Sequence, residues 1–120
     1  MNKIYHLSTC DTNRRIIKRL GGLKDFEKQE IKSEPITKAQ IEEMKRLAGS
    51  YESLFSRRAL KFKTMNLKDE VLKENDYKSL ILSEYTFLKR PVIITHNKIF
   101  IGNAESVLTT LEKELKTKKQ

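Results

Sequence analysis

The spacing of apolar positions changes period several times along this chain. Residues 3–7 alternate weakly, which is the period of a strand. From Asp11 to Leu20 the period becomes helical: Ile16, Ile17 and Leu20 share one face, and Gly21-Gly22 stops the helix. Residues 25–31 form a polar candidate strand suited to a sheet edge, and Pro35 then breaks the chain.

The next helix has a marked start. Thr37 and Gln40 fit a capping box, with Ile36 and Ile41 spaced as a hydrophobic staple. Ile41, Met44, Leu47 and Ala48 supply its apolar stripe, and Gly49 ends it. Residues 56–64 are rich in Arg and Lys, with Phe62 inserted, and read as a loop. Short helices are predicted at about 67–73 and 76–85. Tyr77, Leu80, Ile81 and Tyr85 form the inner face of the second, with Asn75 or Asp76 as its cap.

Pro91-Val92-Ile93-Ile94-Thr95 is the strongest strand, β-branched and apolar on both faces as a central strand requires. His96-Asn97 makes a tight turn, Lys98 to Ile101 returns as the hairpin partner, and Gly102 closes it. Asn103 is placed to cap a last helix with Val107, Leu108, Leu111 and Leu115 inward. Glu105 in its first turn and Lys116 near its last both match the helix dipole. The order is strand, helix, strand, a helical block, then hairpin and helix. A βαβ half followed by a ββα half predicts an α/β fold with a small mixed sheet, helices covering it, and a right-handed first crossover. The block at about 36–86 is too long for a loop and packs as a helical insertion.

At 120 residues the chain has the length of one domain with one core. No internal repeat or low-complexity tract is visible. Two prolines and four glycines leave little room for a flexible linker. Hydrophobic residues make up 38% and charged residues 34%, and no apolar run approaches the roughly 18 residues that span a bilayer. Lys3 is not followed by a sustained apolar region or a small-residue cleavage site, so the expected compartment is the cytoplasm, with no membrane partner. One cysteine excludes an internal disulfide framework and a cysteine-rich zinc site. The net charge of +9 favours anionic partners in general. Its basic residues are scattered (Lys18-Arg19, Arg57-Arg58, Lys61 and Lys63, Lys116 to Lys119), and no nucleic-acid-binding module is present. No direct nucleic-acid binding is expected.

The candidate chemistry centres on that cysteine. Cys10 lies at a strand–turn–helix junction, where the free N–H groups and the dipole of the helix stabilise a thiolate, the reactive form. A buried core cysteine is the plainer reading, but Cys10 precedes the packed helical face. His6 shares the face of Ile4, and a protonated imidazole near the sulfur would favour the thiolate; a satisfied strand histidine is the alternative. Arg57, Arg58 and Arg90 are candidates for an oxyanion, because guanidinium groups offer paired N–H donors. Arg57 and Arg58 also read as a solvated loop, and Arg90 is the sharper case because it directly precedes Pro91. Pro91 can open its strand in the trans form or turn toward the cysteine in the cis form. His96, one remote histidine, makes no metal site with one cysteine, and no metal is assigned.

Taken together these residues resemble the arsenate reductase-like (ArsC/Spx) family of the thioredoxin superfamily, nearly end to end. Ile4-Tyr5-His6 followed by Cys10-Asp11-Thr12-Asn13-Arg14 is similar to its N-terminal signature. Leu54-Phe55-Ser56-Arg57-Arg58 resembles the stretch that supplies a basic residue to the anion site. Leu88-Lys89-Arg90-Pro91-Val92-Ile93-Ile94 resembles the block in which an arginine precedes a cis proline, and Phe100-Ile101-Gly102-Asn103 the end of the strand that follows. The resemblance implies a thioredoxin-like fold, a four-stranded mixed sheet flanked by helices with a helical insertion between its halves. It implies Cys10 as nucleophile with His6 beside it, and Asn13, Arg14, Arg57, Arg58 and Arg90 as substrate-binding residues, with Pro91 cis. Cys10 would attack arsenate or a related oxyanion. Glutathione would then attack the adduct as co-substrate, with no bound cofactor, and glutaredoxin would resolve the mixed disulfide. Between the two arginines of the loop, similarity to non-classical members favours Arg58. Classical members carry a third arginine where this chain has Ile101-Gly102-Asn103. The Spx-type regulators of this family bind the RNA polymerase alpha subunit, which is the alternative function. Many of them carry a Cys-x-x-Cys switch, and here its second position is Asn13.

Overall fold

In the computed structural model, which describes residues 1–117, four strands form one mixed sheet. They are β1 (Lys3–His6), β2 (Glu27–Glu30), β3 (Val92–Thr95) and β4 (Lys98–Ile101), in the order β2-β1-β3-β4. β1 runs parallel to β2 and antiparallel to β3, and β3 and β4 form a hairpin. The residues up to Glu30 and those from Arg90 onward make one compact unit, and Ile31–Lys89 make a second.

The first unit holds the sheet. α1 (Asp11–Arg19) connects β1 to β2, and α5 (Glu105–Thr117) follows β4. Alternation puts Ile4 of β1, Ile93 of β3 and Phe100 of β4 on one face, where they pack with Leu23, Phe26 and Leu111. Ile17, Leu20, Val107 and Leu115 lie against this core from the two helices. Ile4 and Leu111 are fully buried. Each such side chain contributes roughly 1.5–3 kcal/mol of hydrophobic stabilisation. Leu20 closes α1, and Gly22 N–H then reaches back to the Ile17 carbonyl at 2.8 Å, which needs the positive φ that Gly21 and Gly22 supply. Arg19 at the end of α1 donates to Glu105 and Glu112 of α5, tying the helices at their exposed rim.

β2 is as polar as the sequence predicts and does lie at the edge, though it is shorter than residues 25–31. Charged side chains there discourage pairing with a second sheet. β3 is the apolar interior strand, buried at all four positions. His96 and Asn97 both take positive φ, as a two-residue hairpin turn requires. α5 starts at Glu105 rather than after Asn103. The Ala104 carbonyl accepts its first bonds, from Val107 and Leu108, so Asn103 lies one residue ahead of the cap. Lys118 and Lys119 of the basic C-terminal run lie outside the described residues.

The second unit is helical. α2 (Lys38–Ala48) begins with the predicted capping box: Gln40 N–H donates to Thr37 Oγ1 at 3.1 Å and Thr37 N–H to Gln40 Oε1 at 3.0 Å. Ile41 and Met44 are buried, while Leu47 and Ala48 are half-buried. A 3₁₀ turn at Glu52–Leu54 follows. The segment 56–64, read as a loop, instead contains a short helix α3 (Leu60–Thr64). Phe62 draws it into order by meeting the Phe55 ring edge-on, at 6.0 Å between centroids. The helix expected at 67–73 is only a 3₁₀ turn, Leu67–Asp69. α4 (Glu74–Ser83) starts and ends earlier than predicted. Its cap residue is Lys73, whose backbone N–H donates to the Asp76 carboxylate at 2.8 Å, so Asp76 serves from inside the helix. Tyr85 opens a separate 3₁₀ turn, Tyr85–Phe87. Phe55 stacks on Phe87 at 5.1 Å and tilts against Tyr77 at 4.9 Å, making an aromatic centre for this unit. Among the described residues no helix is long and apolar enough to cross a membrane.

Candidate active site

β1 ends at His6, and four residues carry the chain into α1. Cys10 N–H donates to the Leu7 carbonyl at 3.1 Å, closing a turn over Ser8 and Thr9. Cys10 is itself the N-cap residue of α1, with extended backbone (φ −90°, ψ 116°), and its carbonyl accepts from Arg14 N–H at 3.1 Å. Serine, threonine or aspartate usually occupies this position, because a side-chain acceptor there meets the open N–H groups of the first turn. Here the side chain is a half-exposed thiol. The sulfur therefore stands at the positive end of the helix with access to solvent.

Asn13 is buried to 1% exposure and joins the two sides of this turn. Its Oδ1 accepts from Leu7 N–H at 3.0 Å and its Nδ2 donates to Cys10 Sγ at 3.4 Å. One amide thus fixes the start of the turn and points a donor at the sulfur. Arg14 is also occupied locally. Its Nη1 donates to the Ser8 carbonyl at 2.6 Å and its Nη2 pairs with Asp11. Sequence reasoning gave both residues a substrate-binding role by resemblance. The contacts they make here are with the turn itself.

His6 ends β1 on the face of Ile4, and β2 places Glu30 directly beside it in the register. Burial pushes the His6 imidazole below its ordinary value. Glu30 opposes that shift and Lys28 adds to it. At neutral pH the ring is therefore neutral. It can exchange a proton, and of the two readings open from the sequence, a cation beside the sulfur or a satisfied strand histidine, the lowered value favours the second. Glu30 was not singled out from the sequence. Its Oε2 accepts from both Ser8 N–H (3.0 Å) and Ser8 Oγ (3.1 Å). Only the pairing of β2 with β1 brings it to the turn, and no local spacing signals it.

Pro91 lies at the head of β3. Val92 pairs with Tyr5, so one further step of the register brings Pro91 level with His6. The Arg90–Pro91 peptide is cis, Pro91 is buried, and Arg90 is half-buried. Gly102 N–H donates to the Pro91 carbonyl at 2.9 Å, and Gly102 takes the positive φ (84°) of that bend. This bond ties the Ile101-Gly102-Asn103 segment to the proline that follows Arg90. Cys10, His6, Asn13, Arg14, Arg90 and Pro91 all belong to the first unit.

Arg57 and Arg58 belong to the second unit and have different surroundings there. Arg57 Nη2 donates to Glu52 Oε2 at 3.0 Å and to the Tyr77 hydroxyl at 2.8 Å. Its guanidinium also lies over the Phe55 and Tyr77 rings, at 5.9 and 5.5 Å. Arg58 is exposed and has no ion pair or hydrogen-bond partner among the described residues. His96 bonds Glu114 of α5 through Nδ1 at 2.6 Å, beside the Lys98–Glu114 pair at 2.7 Å. It thereby fastens the hairpin turn to α5. Among the described residues no three His, Cys, Asp or Glu side chains are grouped to hold a metal ion.

Comparison with solved structures gives the same architecture. A Bacteroides fragilis protein superposes with a TM-score of 0.77 at 17% identity, over 92% of this chain and 96% of its own. A Staphylococcus aureus protein matches with a TM-score of 0.74 at 23% identity, over 92% and 97%. The arsenate reductase from Vibrio cholerae matches with a TM-score of 0.71 at 16% identity, over 92% and 95%. Identities this low establish the fold, which is thioredoxin-like: a four-stranded mixed α/β sheet flanked by helices. No curated protein matches. The ArsC family model matches residues 5–111, a span that holds the cysteine turn, both arginine segments and the hairpin, and the chain belongs to the ArsC family.

Proposed function

We propose that this chain is a single-cysteine oxidoreductase of the arsenate reductase type, with Cys10 Sγ as nucleophile and arsenate or a related oxyanion as substrate. The observation that carries the reading is the N-cap position of Cys10 with the Asn13 amide donating to its sulfur. A thiolate gains there from the helix dipole and from a fixed N–H donor. A dianionic substrate gains from the first-turn N–H groups of Asp11, Thr12 and Asn13, which have no intrahelical acceptor. Arg90, at the head of β3, is the cationic candidate of the same unit. Of the two arginines of the loop, Arg58 stays the substrate-binding candidate on the family resemblance alone, while Arg57 is engaged by Glu52 and Tyr77 within its own unit. His6 is in the neutral form that can relay a proton to a departing oxygen.

In the reaction the Cys10 thiolate forms a sulfur–arsenic bond, and one arsenate oxygen leaves as water after taking up protons. Attack by glutathione on this adduct leaves a Cys10–glutathione disulfide. The two thiols have then given two electrons, and arsenic departs as trivalent arsenite. Glutaredoxin takes the glutathione and returns Cys10 to the thiol. Arsenite formation with glutathione and glutaredoxin, followed together with the mass of the Cys10–glutathione adduct, tests the scheme. Wild-type protein is expected to turn over and to accumulate the adduct when glutaredoxin is omitted, and Cys10→Ser to do neither. Absence of turnover and adduct in the wild type would overturn it. Capture of the RNA polymerase alpha subunit by both wild type and Cys10→Ser would then support the regulator.

A further inference from the structure

We propose that Glu30 is a positioning residue for Cys10: from the edge strand β2 it holds the turn that presents the sulfur. The inference rests on the reading of Cys10 as the nucleophile, and it concerns what fixes that nucleophile.

Ser8 is an exposed turn residue whose polar groups water could satisfy. Instead its N–H and its hydroxyl converge on one Glu30 oxygen, at 3.0 and 3.1 Å. Its carbonyl is taken by Arg14 Nη1 at 2.6 Å. Two charged side chains, one from β2 and one from α1, thus hold all three polar groups of the residue two places before Cys10. Hydrogen bonds to ionised partners are shorter and stronger than neutral ones. Leu7, on the other side of Ser8, is fixed by Asn13 Oδ1 and by Cys10 N–H. The turn therefore has bonds from both flanks, and Glu30 is the only one of these partners outside β1, the turn and α1. The parallel register that sets Glu30 beside His6 is what brings it within reach. A nucleophile's geometry matters to this degree because a misplacement of about 1 Å can cost roughly a hundred-fold in rate.

Two substitutions separate the clamp from the charge. Glu30→Gln keeps an oxygen that accepts from Ser8 and removes the negative charge. Glu30→Ala removes both. The charge of Glu30 can only disfavour a nearby thiolate, so Glu30→Gln is expected to react with iodoacetamide at pH 7 at least as fast as wild type. Glu30→Ala loses the fixed N-cap placement, and with it a share of the helix-end stabilisation. It should react about two- to five-fold more slowly than Glu30→Gln. The Ser8 amide should exchange faster in Glu30→Ala than in Glu30→Gln, and with turnover present the loss should fall on kcat rather than KM. Equal alkylation and equal Ser8 exchange in the two variants would overturn the proposal. If Glu30→Ala does not fold, Ser8→Ala removes the hydroxyl bond alone. It is expected to alkylate more slowly than wild type, and a rate equal to wild type would refute the clamp. The nucleophile reading fails separately, if wild-type Cys10 alkylates no faster than free glutathione in the same buffer.

Discussion

Asn13→Ala tests most directly how the turn activates its cysteine. The substitution removes an amide that is 1% exposed and makes two bonds, one to Leu7 N–H and one to Cys10 Sγ. Leaving the part-buried Leu7 N–H without its acceptor costs about 2 kcal/mol, the middle of the range for an unsatisfied group. For a chain of this length that lowers Tm by roughly 8 °C. The lost N–H donor acts on reactivity instead. A hydrogen bond to a charged acceptor contributes more than 1 kcal/mol when buried, and the half-exposed sulfur keeps about 1 kcal/mol of it, or roughly five-fold in thiolate-dependent rate. Cys10 is the only cysteine, so mass spectrometry of iodoacetamide-treated protein reports this one sulfur. The expected result is a lower Tm together with slower alkylation at pH 7. A lower Tm with an alkylation rate within about two-fold of wild type would refute the reasoning, and Asn13 would then be a strut for the turn with no part in activating the thiol.

The two adjacent arginines are expected to behave differently in thermal unfolding. Arg57→Ala, which loses the Tyr77 hydroxyl, Glu52 and two ring faces, should cost roughly 1 kcal/mol. Arg58→Ala should leave Tm unchanged, so that any loss of its turnover reports on chemistry. The His6 imidazole is held below its ordinary value by burial, so the unfolded chain binds that proton more tightly than the native one. Its contribution to stability is complete above about pH 6.5 and is lost as the pH falls toward the native value. Comparing urea midpoints at pH 7.5 and pH 5, wild type should lose more stability than His6→Asn, and equal losses would remove His6 from the account. Thr37→Ala opens the capping box of α2 and should cost about 1 kcal/mol in urea unfolding.

Several elements whose physics is local match their expectation from the sequence. The capping box at Thr37 and Gln40 involves residues three apart, and the two-residue hairpin at His96-Asn97 is set by its own backbone. The amphipathic stripes of α1 and α5 follow from a fixed 3.6-residue period. The same holds for Cys10: a lone cysteine between a strand and an amphipathic helix already lies at a helix N-terminus. Where the structure differs, single side-chain contacts that the hydrophobic period does not register move the boundaries of elements. Phe62 orders the segment read as a loop by meeting Phe55. α4 begins earlier than expected because the Asp76 carboxylate reaches back to Lys73.

The sequence by itself determined the order of elements, the class of fold and the nucleophile candidate, because spacing and residue chemistry encode those, and its motifs carried the resemblance to the family. Only the tertiary structure decided which charged groups are engaged and what surrounds the sulfur. It placed Arg57 against Tyr77 and Glu52 while leaving Arg58 exposed, although the two are neighbours of identical chemistry. It buried His6 far enough to keep it neutral. It also brought Glu30 from a polar edge strand to the turn before Cys10. Each of these depends on strand register or on packing across elements, and neither is written in the spacing of any one segment.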